Sequence, residues 1–272
     1  MSIKETLKGI KPVYIAGHAV KNVINRIRLS RLEKHGYITG LRGKKALFYF
    51  PFIRTDQIQQ CIFYSQEYYE NDYLDYLCDE WHGGIIGKVV KDGTILDIGS
   101  NIGNHSLYFL LERGARFSYC FEPAKETFDI LKKNIELNHL ENRTKIFNAG
   151  VGNGAGSACI SLSREKNTAY TQITLQEEGD VKVVGVDELG IKDKISFVKI
   201  DVEGFELEVI KGMFNTLKRD KPMMMIEIWT RNLEEIHKIM DPMGYEFDLM
   251  EDRGYQADYV CFFKYNNTSS KL

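Results

Sequence analysis

The sequence predicts an α/β fold in which helices cover both faces of a mostly parallel, doubly wound sheet. The first observation behind this prediction is the repetition, from residue 94 onward, of a short strand, a turn and a helix. The second is the apolar character of the runs at 94–98 and 197–200, which is typical of strands buried on both faces. Strands that alternate with helices in this way pair in parallel, because each helix carries the chain back across the sheet.

Hydrophobic periodicity and turn residues indicate which segments form helices and which form strands. One face of the helix predicted at 125–139 carries Phe128, Leu131, Ile135 and His139. Gly244 is a typical stop residue for the helix predicted at 233–240. Residues 157–186 alternate less regularly and are predicted to form additional strands. The other predicted elements are strand 94–98, helix 104–112, strand 116–121, strand 145–148, strand 197–200, helix 206–217, strand 223–228 and an antiparallel pair from 245–250 and 258–265.

The 272 residues divide into a predicted basic, helical N-terminal extension at 1–90, a main domain at 91–265 and a frayed polar tail at 266–272. The first 50 residues look helical and then irregular. They contain 11 Lys or Arg and 2 Asp or Glu, although the net charge of the whole chain is −2. Such a charge suits a phosphorylated substrate, an anionic membrane surface or nucleic acid, or is simply solvated. Nucleic acid is not expected, because no recognition motif is present.

Part of this extension is predicted to be a basic amphipathic helix. Its apolar stripe consists of Ala16, Val20, Val23 and Ile27. A helix of this kind either makes a peripheral membrane contact, here through residues 11–31, or packs its stripe on the main domain.

The composition is that of an ordinary globular protein, with 43% hydrophobic and 27% charged residues. No apolar run approaches the roughly 20 residues that a transmembrane helix needs, and the N-terminus lacks the apolar core of a signal peptide. The five cysteines are dispersed and form no CxxC pair, which favours free thiols over a disulfide framework or a zinc cluster. We therefore expect a cytoplasmic protein. The sequence leaves its oligomeric state open.

The glycine loop in TILDIGSNIG, residues 94–103, is the strongest chemical signal in the chain. A strand delivers Asp97 to its carboxyl end, and Gly99 and Gly103 allow a tight turn and a close approach to a ligand. The next helix presents free N–H groups, and ligands bind at this edge of open parallel sheets. The spacing G-x-x-x-G differs from the G-x-G-x-x-G of dinucleotide sites, which disfavours a dehydrogenase. The alternative interpretation is a purely structural turn.

Glu122 ends the next predicted strand, in YCFEP, 25 residues beyond Asp97. An acid at this position can accept both hydroxyl protons of an adenosine ribose. It would serve NAD or S-adenosylmethionine equally well. Glu122 therefore predicts a binding site for a nucleoside but does not distinguish between the two cofactors.

Carboxylates are crowded in FVKIDVEGFELEVIKG, residues 197–212. Asp201 ends a strand, so it should face the same cleft as Asp97. Glu203 and Glu206 follow at the start of a helix, where helix capping alone would also favour negative charge. Glu227 lies near the end of a neighbouring strand. A general base, a metal site or a cluster that binds hydroxyls would each explain this crowding.

These three blocks, in this order, resemble the FkbM-type methyltransferase family. The similarity rests on LDIGSNIGNHS, on FEPAKETFDILKKNIELN, and on VKIDVEGFELEVIKGM followed by MIEIW. The upstream YYENDYLDYL is similar to the family's helical lead-in. The resemblance implies a class I, Rossmann-like methyltransferase fold, with a seven-stranded sheet and one antiparallel strand near its edge. It also implies S-adenosylmethionine as the cofactor.

The resemblance further implies which residues hold that cofactor. Asp97, Gly99 and Gly103 would hold its methionine part and Glu122 its ribose, and two residues after the third strand would flank the adenine. Ser100 stands where many relatives have Ala. The full cofactor-binding set expected on this basis is Asp97, Gly99, Ser100, Asn101, Gly103, Asn104, Glu122, Pro123, Asn148, Ala149 and Asp201.

Methyl transfer mainly requires that two reactants are positioned, but a hydroxyl acceptor also needs a general base. Asp201 is the first choice, because its strand end lies near the cofactor. His105 is the second, although it could instead hydrogen-bond at the helix start. Glu203 and Glu206 complete the catalytic candidates, and Lys199 is expected to pair with a carboxylate. The less favoured alternative is a magnesium ion held by Asp201, Glu203, Glu206 and Glu227; no metal is expected.

The sequence thus predicts an S-adenosylmethionine-dependent O-methyltransferase. Its expected acceptor is a hydroxyl of a carbohydrate or sugar-containing precursor, such as a cell-surface polysaccharide or a sugar nucleotide, with a phosphorylated small molecule or glycan as one option. A methyltransferase of a lipid, polyketide or other small metabolite is the first alternative. A non-catalytic nucleotide-binding protein is the second.

Overall fold

The computed structural model describes residues 11–162, 171–175 and 179–263, so the tail predicted at 266–272 lies outside the described residues. No described helix is long and apolar enough to cross a membrane. Two short strands form a hairpin where the sequence predicts irregular structure. The N-terminal elements are α1 (Lys11–Lys34), β1 (Ile38–Gly40), β2 (Leu47–Tyr49), α2 (Gln57–Ser65), α3 (Asn71–Asp79) and α4 (Ile85–Val90).

The rest of the described chain alternates strands and helices, as predicted. Its elements are β3 (Thr94–Ile98), α5 (Asn104–Leu107), β4 (Phe117–Phe121), α6 (Lys125–Leu137), β5 (Thr144–Phe147), β6 (Gly150–Val151), β7 (Gly156–Leu162), β8 (Thr171–Leu175), β9 (Val181–Val184), β10 (Ile195–Ile200), α7 (Glu206–Gly212), α8 (Phe214–Asp220), β11 (Met223–Trp229), α9 (Thr230–Met240), β12 (Tyr245–Asp252) and β13 (Gln256–Phe263).

Seven of these strands form one sheet in the order β12-β13-β11-β10-β3-β4-β5. Strand β13, next to the edge, runs antiparallel to both of its neighbours, and the other neighbouring strands pair in parallel. The predicted seven-stranded sheet with one antiparallel strand is therefore confirmed. The carboxyl ends of β3, β4 and β10 meet at one edge, where the predicted site residues lie.

Side chains of the central strands alternate between two hydrophobic clusters, one on each face of the sheet. Ile95 and Phe197 belong to one cluster, whereas Leu96 and Val198 belong to the other. All four are essentially buried, as a parallel sheet covered on both sides requires. The N-terminal elements contribute to the first cluster, so they cover one face of the sheet.

A second sheet of four strands, in the order β6-β9-β7-β8, accounts for the strands predicted within 157–186. Next to it, the helix predicted at 206–217 is broken at Met213, whose φ of −120° separates α7 from α8. Gly212 precedes the break, and a Cβ there would lie 1.7 Å from the carbonyl oxygen of Gly152. This close packing requires glycine, which in turn weakens a continuous helix.

Helix α1 does not pack through the stripe that its sequence suggests. Leu32 is buried in the first hydrophobic cluster, and Leu29 packs against that cluster. Val23 and Ile27, two members of the predicted stripe, are 55% and 49% exposed. The side chains of Ala16 and Val20 lie outside the described part. The described part of the stripe therefore faces away from the core.

Side chains at the C-terminal end of α6 and directly after it bond the free edge of β2, in place of a neighbouring strand. The backbone N–H groups of Leu47 and Tyr49 donate to the side-chain oxygens of Asn138 and Asn134, at 2.8 and 2.7 Å. Asn134 also donates to the carbonyl oxygen of Ile102, at 2.8 Å, within the glycine loop. The N-terminal hairpin is thus joined to the segment that follows β3.

Candidate active site

The loop that follows β3 is held against the ends of two neighbouring strands. Gly99 has a φ of +77°, and a Cβ on it would lie 1.8 Å from the carbonyl oxygen of Asp201, after β10. The N–H groups of Gly99 and Ser100 both donate to the carbonyl oxygen of Phe121, at the end of β4, at 3.0 and 2.9 Å. Only glycine fits position 99, because both the conformation and the space exclude a side chain.

The hydroxyl of Ser100 completes this attachment. It donates to the carbonyl oxygen of Asp97 at 2.6 Å and accepts from the N–H of Phe121 at 3.0 Å. Since Ser100 is buried, these bonds satisfy polar groups that water cannot reach. In this chain the serine therefore has a structural part in shaping the loop.

A buried lysine lies beneath the loop. The ammonium of Lys199 donates to the carbonyl oxygen of Gly99 at 2.6 Å and lies 3.3 Å from Asp201 and 3.7 Å from Asp97. Burial lowers the pKa of Lys199, but the charges of Asp201 and Asp97 outweigh it, so the pKa is raised overall. The lysine therefore stays charged, and its expected pairing with a carboxylate is confirmed.

Glu122 occupies the end of β4 and is 5% exposed. Its carboxylate accepts from the N–H groups of Ala124 and Asn101, at 2.9 and 3.0 Å. Burial raises its pKa to about 7, despite these hydrogen bonds. The side chain of Asn148 fixes the following turn by donating to the carbonyl oxygens of Glu122 and Pro123, each at 2.9 Å.

A cavity of about 480 Å³ opens at these strand ends. The residues expected to bind cofactor or acceptor that line it are Gly99, Ser100, Asn101, Asn104, His105, Glu122, Pro123, Ala149, Asp201 and Glu203. The expected residues that lie outside its lining are Asp97, Gly103, Asn148 and Glu206. Of these, Asp97 and Asn148 make hydrogen bonds to the lining residues Ser100 and Glu122.

Three carboxyl groups, here called the acid wall, line one end of the cavity: Asp201, Glu203 and Glu227. One oxygen from each lies within 4.8 Å of the others. Burial is the largest cause, and the charge of the nearby Asp201 the next, of a raised pKa for both glutamates, to about 7 for Glu203 and about 8 for Glu227. The wall therefore holds protons near neutral pH, so it both donates and accepts hydrogen bonds.

Glu206 is not part of the acid wall. One of its oxygens accepts from the N–H of Gly204 at 2.6 Å, and the other accepts from the side chain of Asn232 at 2.7 Å. This carboxylate is buried and joins the start of α7 to α9. Glu206 lies in the first turn of α7, where negative charge is favourable, but the N–H of Gly204 that its carboxylate bonds lies before the helix begins.

The turn before α3 brings a further acid, Glu70, to the cavity, and the sequence pattern did not reveal it. Asn104 holds this turn through both its side-chain atoms, which bond the N–H and the carbonyl oxygen of Tyr69 at 2.9 and 3.1 Å. Glu70 then lies 3.3 Å from Nε2 of His105 and adopts a φ of +59°, which is strained for a non-glycine residue. Burial raises the pKa of Glu70, but the hydrogen bond and charge of His105 lower it below its usual value.

Arg253, in the turn between β12 and β13, also lines the cavity. Its guanidinium contacts Glu227 at 2.8 Å and Asp258 at 2.7 Å. It thereby holds one member of the acid wall in place from the far end of the chain. No local sequence motif predicts that Arg253 reaches the cavity, because its position depends on the register of the terminal hairpin.

The fold and the site define the class of the protein. The strand order, the glycine loop after β3 and the acid at the end of β4 are those of a class I methyltransferase that uses S-adenosylmethionine. Residues 97–257 match the methyltransferase FkbM domain. The chain therefore belongs to the FkbM methyltransferase family.

Individual proteins show the same similarity at low identity. The chain is 24% identical over 230 residues to methyltransferase sdnD of Sordaria araneosa, which covers 71% of this chain and 86% of that protein. It is 28% identical over 161 residues to the hexuronic acid methyltransferase AglP of Haloferax volcanii, covering 58% of this chain and 62%, less than two thirds, of that protein. The crystal structure of methyltransferase FkbM from Methylobacillus flagellatus aligns with a TM-score of 0.45 and 18% identity, over 62% of this chain and 43% of the other.

Replacing Gly99 should damage both the fold and the cofactor site. In Gly99→Ala the new Cβ meets the carbonyl oxygen of Asp201, so we expect a loss of well over 1 kcal/mol in unfolding free energy and no measurable binding of S-adenosylhomocysteine. Denaturant unfolding and calorimetry measure the two effects. Gly190→Ala is the matched control, because Gly190 also has a positive φ, of +61°, but open space around it. Equal losses in the two variants would show that the contact with Asp201 is unimportant.

Proposed function

We propose that the protein transfers the methyl group of S-adenosylmethionine to a hydroxyl of a carbohydrate or sugar-containing precursor. The observation that carries this proposal is the acid wall, which lies in the same cavity as Glu122. In this proposal residues 91–265 hold the cofactor. The extension at 1–90 contributes Glu70 to the acceptor end of the cavity.

The residues at the strand ends fit the cofactor. Glu122 offers a buried carboxylate for the ribose hydroxyls. Asp97 is 1% exposed and lies outside the cavity lining, so in this proposal it supports the methionine part indirectly, by pairing with Lys199 beneath the loop. Gly99 keeps the loop clear of side-chain atoms. The cofactor supplies an electrophilic methyl group, and these residues orient it towards the acid wall.

The acid wall suits an acceptor with several hydroxyls. Each hydroxyl of a sugar is both a donor and an acceptor. A set of carboxyl groups, of which some are ionised and some protonated at neutral pH, can meet both needs. The relative named as a hexuronic acid methyltransferase supports an acceptor of this chemical class.

His105, assisted by Glu70, is the residue that the geometry best supports as general base. The side chain of His105 is only 8% exposed, and Nε2 faces Glu70. In the tautomer with the proton on Nε2, 3.3 Å from the Glu70 carboxylate, Nδ1 carries a lone pair that can take the proton of the acceptor hydroxyl. Glu70 would then stabilise the imidazolium that forms. Asp201, the first choice from the sequence, is already paired with the ammonium of Lys199 at 3.3 Å.

Cofactor affinity should depend on pH through Glu122. The pKa of this buried acid is about 7, and its ionised form accepts hydrogen bonds from the ribose best. We therefore expect affinity for S-adenosylhomocysteine to be full above pH 7 and to fall below it, by up to about tenfold per pH unit. Glu122→Gln should bind roughly 10- to 100-fold more weakly at pH 8, with little pH dependence left. Calorimetry across this pH range would contradict the assignment if both proteins showed the same profile.

The base should be identified by comparing three variants. His105→Gln should lower kcat by roughly 10²–10⁴ while cofactor affinity is retained. Glu70→Gln should lower kcat less, because the imidazolium that forms during proton transfer loses its anionic partner. Asp201→Asn is the paired comparison. A larger fall in kcat for Asp201→Asn than for His105→Gln would transfer the role of base to Asp201.

The acceptor class can be tested with radiolabelled S-adenosylmethionine and a panel of sugar nucleotides, uronic acids, lipids and small polyketides. We expect transfer to a sugar-containing acceptor, with label that resists mild alkali. An ether formed at a hydroxyl survives this treatment, whereas a methyl ester formed at a carboxylate releases labelled methanol. Label that is lost in mild alkali would show that the methyl group had been transferred to a carboxylate and not to a hydroxyl. Transfer only to lipids or polyketides would overturn the carbohydrate proposal.

A further inference from the structure

The outward face of helix α1 carries an apolar patch that the described fold leaves uncovered. Val23, Ile24 and Ile27 are 55%, 49% and 49% exposed, and they lie on one side of the helix at spacings of one, three and four residues. The helix is attached to the fold from its other side, through Leu29 and Leu32. Leu29 and Leu32 thus already attach the helix to the core, so packing on the core does not explain the exposed apolar patch.

Basic side chains without acidic partners surround this patch. In the part of the chain that the structure describes, Arg26, Arg28 and Arg31 form no ion pair, and Glu33 is engaged with Arg54 at 2.5 Å. Arg28 instead stacks over the ring of Phe63, with 5.6 Å from the guanidinium carbon to the ring centre. Guanidinium groups that the protein itself does not neutralise attract an external anion.

Two of these arginines line a small pocket beside the helix. The pocket has a volume of about 150 Å³, and its polar lining includes Arg28, Arg31, His35, Thr39 and Gln66. None of these five side chains is an acid. Thr39 and Gln66 already donate to the carbonyl oxygens of Gly40 and Phe63, so Arg28, Arg31 and His35 supply the N–H donors for a ligand. Such a lining fits a phosphate group.

We propose that α1 docks on an anionic lipid surface. Val23, Ile24 and Ile27 enter the interface between headgroups and acyl chains, and Arg28 and Arg31 hold a lipid phosphate. Apolar side chains next to basic ones are typical of helices that lie in the plane of a membrane surface. A nucleic acid would use the basic groups but would gain little from exposed valine and isoleucine. The lipid surface is therefore the partner that uses both parts of the face.

Helix α2 connects this docking face to the active site. Its residues Gln57, Ile58 and Cys61 line the cavity that contains Glu122, whereas Phe63, further along the same helix, lines the basic pocket. A chain docked through α1 would hold the cavity close to the lipid surface. This placement would favour acceptors that are attached to a lipid, although the docking proposal itself does not depend on the identity of the acceptor.

Co-sedimentation of the full chain with vesicles tests the proposal. Vesicles of phosphatidylcholine with phosphatidylglycerol should bind the protein in a salt-sensitive manner, and vesicles of phosphatidylcholine alone should bind it weakly. Arg28→Gln with Arg31→Gln should weaken binding roughly 30-fold, from about fivefold for each basic residue at an anionic surface. Ile24→Ser with Ile27→Ser should weaken it roughly tenfold or more but leave the salt dependence in place.

The control is Lys132→Gln with Lys133→Gln, an exposed basic pair on α6 that carries the same loss of charge. Binding of S-adenosylhomocysteine by each variant verifies that it is folded. Unchanged vesicle binding in the arginine variant, or an equal loss in the lysine control, would overturn the proposal. Equal binding to neutral and anionic vesicles would also overturn it. So would tight binding of a short RNA that persists in the isoleucine variant, since that result would make nucleic acid the partner.

Discussion

The buried ammonium of Lys199 is the interaction on which the rest of the site depends. An unpaired charge at that depth would cost several kcal/mol, so the cation and its partners have to stay together. Those partners are Asp97, the carbonyl oxygen of Gly99 and Asp201, which belong to β3, its loop and the end of β10. The ion cluster therefore fixes the two central strand ends relative to each other. The loop can then make its close contact with β10, and the cavity takes its shape from that contact.

The buried charges around Lys199 and Glu122 and those of the acid wall are stabilised in different ways. At the cofactor end, each buried charge has a fixed partner or a backbone donor, as with Lys199 and Glu122. At the other end, the acid wall contains more carboxyl groups than the neighbouring cations can neutralise. Arg253 neutralises part of this charge, and raised pKa values for Glu203 and Glu227 neutralise more by retaining protons. Protons that are held in this way can rearrange around a bound ligand more easily than fixed ion pairs can.

The place of the glycine loop and of Glu122 at one edge of the sheet could be predicted from the sequence because the pattern is local. A strand, a glycine loop and the next strand place Asp97, Gly99 and Glu122 within about 30 residues of each other, and a parallel sheet brings strand ends together. Glu70 and Arg253 could not be predicted in this way, since each reaches the cavity through contacts between distant segments. The same limit applies to α1. Periodicity identified an apolar stripe, but it could not show that Leu29 and Leu32 would form the attachment instead.

The turn that carries Arg253 and the turn that carries Glu70 both lie outside the central strands. Substitutions there would alter the cavity beside the acid wall, where we propose that the acceptor binds, while the ion cluster around Lys199 stayed intact. Selection for a new substrate could therefore act on the residues beside Arg253 and Glu70 in these two turns, with Glu70 itself kept for its proposed part in proton transfer, without passing through inactive, cofactor-free intermediates. Lineages that share this scaffold could diverge in what they methylate while they retain the same donor. A cavity divided in this way separates the evolution of specificity from the preservation of the reaction.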